Sequence, residues 1–265
     1  MELRLLHFTL VLVVAACLGN ASATTTKMSF EQILELSREI YETEFQRQSH
    51  RLRIRGQWES ERVEASAHRE EDRDGQLAVI TITGGLARHP GITVGALALV
   101  LCHEIGHFLA GEPAVRGYST EGQADYYAAA VCMPRLLSRL PEASRPKDQE
   151  VPDLVVGRCT AAFRRAARQA ACIQTTMSGL TLSHFFAERK RTARPWFETP
   201  DPGSVSVVGF ATPTVQCRLD TFSAAALCNP EVENAVGRER PWICTREGAL
   251  PHAARPFCWF PGLPQ

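Results

Sequence analysis

One stretch of this chain has little choice of fold. Residues 94–110, VGALALVLCHEIGHFLA, hold no proline and few β-branched residues, and are mostly apolar. Such a segment is stable as a helix when it is buried, because it has no broad polar face to give to water. Thr93 is placed to cap its start, and Gly111-Glu112-Pro113 to stop it. Gly95 and Gly106 each weaken the helix in isolation by roughly 1 kcal/mol, so packing must hold it. Yet its last turns carry His103, Glu104 and His107. Unpaired polar groups in a core are costly, and a metal ion is one way to satisfy them.

The spacing supports that reading. His103 and His107 are four residues apart, so they project from one face about a turn apart and can share one ion. Glu104 points to a neighbouring rotation, where a carboxylate can take a proton from a water on that ion. This is the H-E-x-x-H arrangement of zinc peptidases. The motif alone would recur by chance in roughly one chain in a hundred of this length, so context must decide. Gly106, between the two His, lets another segment come close. A catalytic zinc usually takes three protein ligands plus a water. Downstream, Ser119 or Thr120 can cap a second helix that runs to about Met133 before Pro134 stops it. About eight residues link the two helices, which allows an antiparallel return. Glu121 can then reach the metal as third ligand. Asp125, one turn on, can accept the far ring N–H of a ligating His and fix its tautomer. Taken alone, both acids would be read as a solvated helix face.

At these residues the chain resembles a known family. His103-Glu104-x-x-His107 followed by Glu121-x-x-Ala124-Asp125 is similar to the gluzincin zinc endopeptidases that include the CAAX prenyl protease and bacterial heat-shock membrane proteases. The resemblance implies one Zn2+ on His103, His107 and Glu121, Glu104 as general base, Asp125 as supporting acid, and hydrolysis of peptide bonds. It also implies an α+β fold with a zincin-like minimal gluzincin core: a small sheet with an edge strand, an active-site helix and an antiparallel third-ligand helix. Glu64–Ala67 and Leu77–Ile82 read as strands, and Thr83-Gly84-Gly85-Leu86 leads towards the helix. In such enzymes an edge strand here aligns a polypeptide substrate by strand addition. The resemblance covers roughly residues 60–135. The chain departs from many relatives in lacking multiple membrane spans and in its short spacer between motifs.

The N-terminus points to export. Arg4 precedes a mainly apolar stretch from Leu5 to Leu18, the length of a signal-peptide core rather than of a membrane span. Ala21-Ser22-Ala23 offers a cleavage site, making residues 1–23 a signal peptide. The alternative is a lipobox at Val14-Ala15-Ala16-Cys17, with Cys17 as a lipidated N-terminus and the only membrane attachment; simple secretion is favoured. Eight cysteines remain beyond Cys17, an even number that suggests disulfides in an exported chain. Proximity favours Cys217–Cys228 and Cys244–Cys258. Cys102 and Cys132 lie on the two proposed metal helices, where a bridge would brace the site. No C-x-x-C pair exists to support a cysteine zinc site.

Composition bounds the remainder. The chain has 265 residues, 45% of them hydrophobic, enough for a substantial core, and its 29 basic and 29 acidic residues give no bias towards nucleic acid or anionic membrane. Residues 24–194 are expected to form the peptidase domain, and 195–265 an irregular extension packed on it. A capping box at Ser29–Gln32 starts an amphipathic helix over 30–48. Further helices fit Val155–Cys172, Ile173–Arg191 and Phe222–Leu227, with Arg189-Lys190-Arg191 as a solvated helix end. Trp196, Trp242, Trp259 and Phe260 are expected as small core anchors, and Arg218 and Asp220 as a local ion pair. Tyr118, Tyr126, Tyr127, His184 and Arg218 are unranked candidates to stabilise an oxyanion, and His89 reads as a loop residue. Two further classes remain: a zinc-binding scaffold without turnover, which has no need of Glu104, and a lipoprotein acting in envelope protein assembly or quality control.

Overall fold

The computed structural model describes residues 27–140, 150–209, 211–228, 244 and 252–261. The expected signal segment and Trp242 lie outside them. Within them the fold is mixed α+β. Helix α1 spans Lys27–Arg47, followed by strands β1 (Arg51–Gln57), β2 (Ala65–Asp72) and β3 (Gly75–Thr83). A single-turn α2 (Gly84–Ala87) leads to α3 (Val94–Leu109), and a two-residue ladder of β4 (Ala114–Val115) and β5 (Tyr118–Ser119) leads to α4 (Glu121–Tyr127). Then come α5 (Met133–Leu137), α6 (Asp153–Ala162), α7 (Ala166–Lys190) and α8 (Val215–Leu227).

The sheet order is β1-β3-β2, with β1 parallel and β2 antiparallel to the central β3. Strand β1 escapes the sequence reading because it alternates Leu52 and Ile54 with Arg51, Arg53 and Arg55. Those arginines meet acids of β2 across β3: Arg55 holds Glu70 through two bonds of 3.0 and 3.1 Å, and Arg51 pairs with Asp72. The opposite face carries Ile54, Ile80, Ile82, Ala65 and Ala67 into the main core. Helix α1 packs there through buried Phe30, Ile33, Tyr41 and Phe45, each large apolar group contributing about 1.5–3 kcal/mol by leaving water. It begins at Lys27, so Ser29 lies inside its first turn rather than at a cap.

Helix α3 runs through the middle. Every residue from Gly95 to Gly106 is buried, and the Thr93 hydroxyl caps it by accepting from Ala96 N–H at 3.2 Å. Helix α4 does not stop at Pro134 as expected. A π-helical turn, Ala128–Cys132, follows it, and α5 resumes with Pro134 in its first turn. The backbone stays right-handed helical through the π-helical turn into α5, and the π turn lies directly before Pro134, which has no N–H to give. The expected pair Val155–Cys172 and Ile173–Arg191 is divided differently: the break falls at Phe163, whose buried ring and extended backbone separate α6 from α7. Helix α8 begins seven residues before Phe222, capped by Thr214, whose hydroxyl accepts from Cys217 N–H at 3.1 Å.

Four disulfides join Cys102–Cys132, Cys159–Cys172, Cys217–Cys258 and Cys228–Cys244. The expected bridge between Cys102 and Cys132 is present. The expected Cys217–Cys228 and Cys244–Cys258 pairs are not, for a geometric reason. Cys217 sits near the start of α8 and Cys228 just past its end, about 16 Å apart at helical rise and far beyond disulfide reach. The C-terminal segment packs on the same core: Trp259 and Phe260 are buried, and Tyr126 Oη donates to Ala253 O at 2.8 Å. Trp196 is 41% exposed and is no core anchor; it stacks against His184. Among the described residues no helix is long and apolar enough to cross a membrane.

Replacing Cys102 and Cys132 together by Ala opens a loop spanning 30 residues. Equilibrium urea unfolding is expected to show a loss of about 3–4 kcal/mol; an unchanged midpoint would show that packing alone holds α3 against the helix that follows α4.

Candidate metal centre

The site forms where α3 ends against the start of α4. A Cβ on Gly106 would lie 2.8 Å from Ala124 O and 3.0 Å from Ala124 Cα, so only glycine lets the two backbones come this close. That approach brings Glu121 opposite the two histidines. His103 Nε2 lies 3.5 Å from Glu121 Oε2, and His107 Nε2 lies 3.7 Å from Glu121 Oε1. One ligand atom from each residue falls within 4.8 Å of the others. Thr120 takes the N-cap position of α4 without a side-chain capping bond, while Ser119 Oγ donates to Gly111 O at 2.8 Å.

Each imidazole is held from behind. His107 Nδ1 lies 2.9 Å from Ser119 O, a contact only a protonated Nδ1 can make, which leaves Nε2 with its lone pair towards Glu121. His103 Nδ1 lies 2.7 Å from Asp125 Oδ1, with the carboxylate off the line of the ring N–H. Asp125 is fully buried and in turn takes a bidentate grip from Arg218, Nε to Oδ2 at 2.7 Å and Nη2 to Oδ1 at 2.6 Å. Arg218 thus pairs with Asp125 of α4 and not with Asp220. Asp220 instead accepts from Asp201 N–H at 2.7 Å and Gln216 Nε2 at 2.8 Å.

Burial and neighbouring charges act differently on the two imidazoles. Burial pushes the His107 imidazole down to about 4, and the neighbouring His103 adds to the shift. Burial also pulls on His103, but Asp125 outweighs it and holds that imidazole above its ordinary value. Burial raises the Asp125 carboxyl, yet Arg218 and then His103 bring it below the usual range. Glu104 is raised, chiefly by burial. Two imidazole nitrogens and a carboxylate converging within 4.8 Å are a donor set suited to zinc, and His103, His107 and Glu121 are the residues that could hold it.

Glu104, His103, His107 and Glu121 open onto a cleft of about 630 Å³. One wall is β2, which among the described residues pairs with β3 alone and so presents an edge at Ala65, Ser66 and Ala67. The other is α7, through Leu182, Phe185 and Phe186. Arg218 lines the cleft too. A smaller hollow continues past His107 and Glu121 along Ala67 to Arg116 and Tyr118.

All five residues named from the motifs, His103, Glu104, His107, Glu121 and Asp125, therefore meet. Of the oxyanion candidates, Arg218 reaches the cleft and Tyr118 the smaller hollow, where its hydroxyl accepts from Arg69 N–H at 2.8 Å. Tyr126 and Tyr127 are buried away from it, and His184 bonds Pro195 O at 3.1 Å outside the cleft. His89 accepts from Gly91 N–H at 3.1 Å and packs on Phe185 as a loop residue. The sequence reading missed the Ser119 carbonyl, which has no side-chain signature, and the Arg218–Asp125 pair, whose members are 93 residues apart. The chain matches no protein-family model, no curated protein and no solved structure.

The Arg218–Asp125 pair is testable by stability. Arg218→Met leaves a buried carboxylate without its partner and is expected to cost about 3–5 kcal/mol. Arg218→Lys should recover only part, because an ammonium cannot reproduce the two-bond fork. Urea unfolding of both variants that matched the parent would refute the role given to the pair.

Proposed function

We propose that this chain is an exported zinc-dependent metalloendopeptidase built on a zincin-like minimal gluzincin core. The observation that carries the reading is the convergence of His103, His107 and Glu121 at the wall of a cleft that also holds Glu104 and the edge of β2. Zinc bound there would supply a Lewis acid that lowers the pKa of water and polarises a carbonyl.

The chain's own residues then divide the work. A substrate backbone pairs with β2 at Ala65–Ala67, and an apolar side chain rests against Phe185 and Leu182. Glu104 receives the proton of the attacking water and returns it to the leaving amine. Asp125 and the Ser119 carbonyl keep the imidazoles in one tautomer and orientation. Arg218 holds Asp125 and stands in the cleft as the best-placed cation to stabilise an oxyanion.

Export is supported by the pairing of all eight cysteines beyond Cys17, since disulfides persist in oxidising compartments. That pairing leaves Cys17 as the odd cysteine, in keeping with its removal in a signal peptide or its use as a lipid anchor.

Purified protein is expected to hydrolyse casein or quenched peptides, to lose activity with a chelator and to regain it with zinc. Glu104→Gln should retain one zinc per chain while turnover falls about 10²–10⁴-fold. His107→Ala and Glu121→Ala should lose the metal itself. Turnover that survives Glu104→Gln would refute the mechanism.

A further inference from the structure

The cleft carries a charge that hydrolysis does not use. Beyond Phe185 and Phe186 its rim is completed by Arg189 and Lys190, both exposed, on the last turn of α7. Cations suit a helix C-terminus on their own account. The helix end does not require, however, that both border the cleft of His103 and Glu104. Among the described residues neither forms an ion pair, although the cleft also holds the acids Glu64, Glu104 and Glu121. Glu188 borders a separate hollow with His184 and Arg194. Glu64 is paired with Arg62 at 2.8 Å, and Asp125 occupies Arg218. The Arg189 guanidinium lies over the Phe185 ring at 5.6 Å, beside the apolar wall, and among the described residues its N–H groups have no acceptor.

We infer that the cleft selects peptides with a carboxylate close to an apolar residue on one side of the cleaved bond, the apolar group resting on Phe185 and Phe186 and the carboxylate on Arg189 and Lys190. The carboxylate is an Asp or Glu side chain or the free C-terminus of the peptide. This inference rests on the peptidase reading.

The test uses quenched peptides that differ by Asp or Asn at each position in turn, each with a free or an amidated C-terminus. The parent protein is expected to show kcat/KM about twofold to fivefold higher for the carboxylate peptides, as for a solvated ion pair. The advantage should shrink as salt rises. A preference kept by amidated peptides identifies the side chain, and one lost on amidation identifies the C-terminus. Arg189→Gln with Lys190→Gln should erase the preference, and Arg189→Glu with Lys190→Glu should reverse it. Calorimetric binding of the same peptides to full-length Glu104→Gln protein reads the preference without turnover. Equal kcat/KM and equal binding for acid and amide peptides, or a preference that survives charge reversal, would overturn the inference and leave the peptidase reading standing. If no peptide is cut, the peptidase reading fails, and the binding data still decide the charge preference.

Discussion

The close contact of α3 and α4 at Gly106 is the constraint on which the rest of the structure depends. Backbone touches backbone there, with Ala124 filling the space that any side chain on residue 106 would need. The contact sets Glu121 opposite His103 and His107. It is held from both sides: the Cys102–Cys132 bridge ties α3 to the π-helical turn after α4, and Trp259 lies on Gly122 at the start of α4. The C-terminal segment thereby takes part in positioning the site although its own backbone has little regular structure.

Charge is arranged along the same line. Arg218 on α8 and fully buried Asp125 on α4 form an ion pair that backs His103 on α3 at the wall of the cleft. Each member would be costly alone. Together they hold one imidazole with its free nitrogen facing Glu121, while a backbone carbonyl does the same for His107. The two histidines therefore have different supports, one ionic and one neutral, and only the ionic one involves a distant part of the chain.

Much of this was legible from local pattern. The apolar run with its cap and stop predicts α3 to within a residue, and the short link to a second capped segment places Glu121 and Asp125 on the facing helix. What was not legible depends on partners remote in sequence. Alternating arginines hide β1 because their stabilising acids lie two strands away across the sheet. Pro134 reads as a stop, but the helix continues through it by way of the π-helical turn before it. Proximity misassigns two disulfides because α8, longer than its apolar pattern suggests, carries Cys217 and Cys228 to opposite ends. Arg218 was drawn to the nearest acid in sequence when the nearest in space was Asp125.

The central claim is that His103, His107 and Glu121 hold one zinc ion beside Glu104. Anomalous diffraction at the zinc edge from crystals of the full-length protein tests it most directly. The account predicts a single strong peak about 2.0–2.2 Å from both imidazole Nε2 atoms and the Glu121 carboxylate. A protein loaded with zinc that shows the peak elsewhere, or none at these three residues, would contradict it.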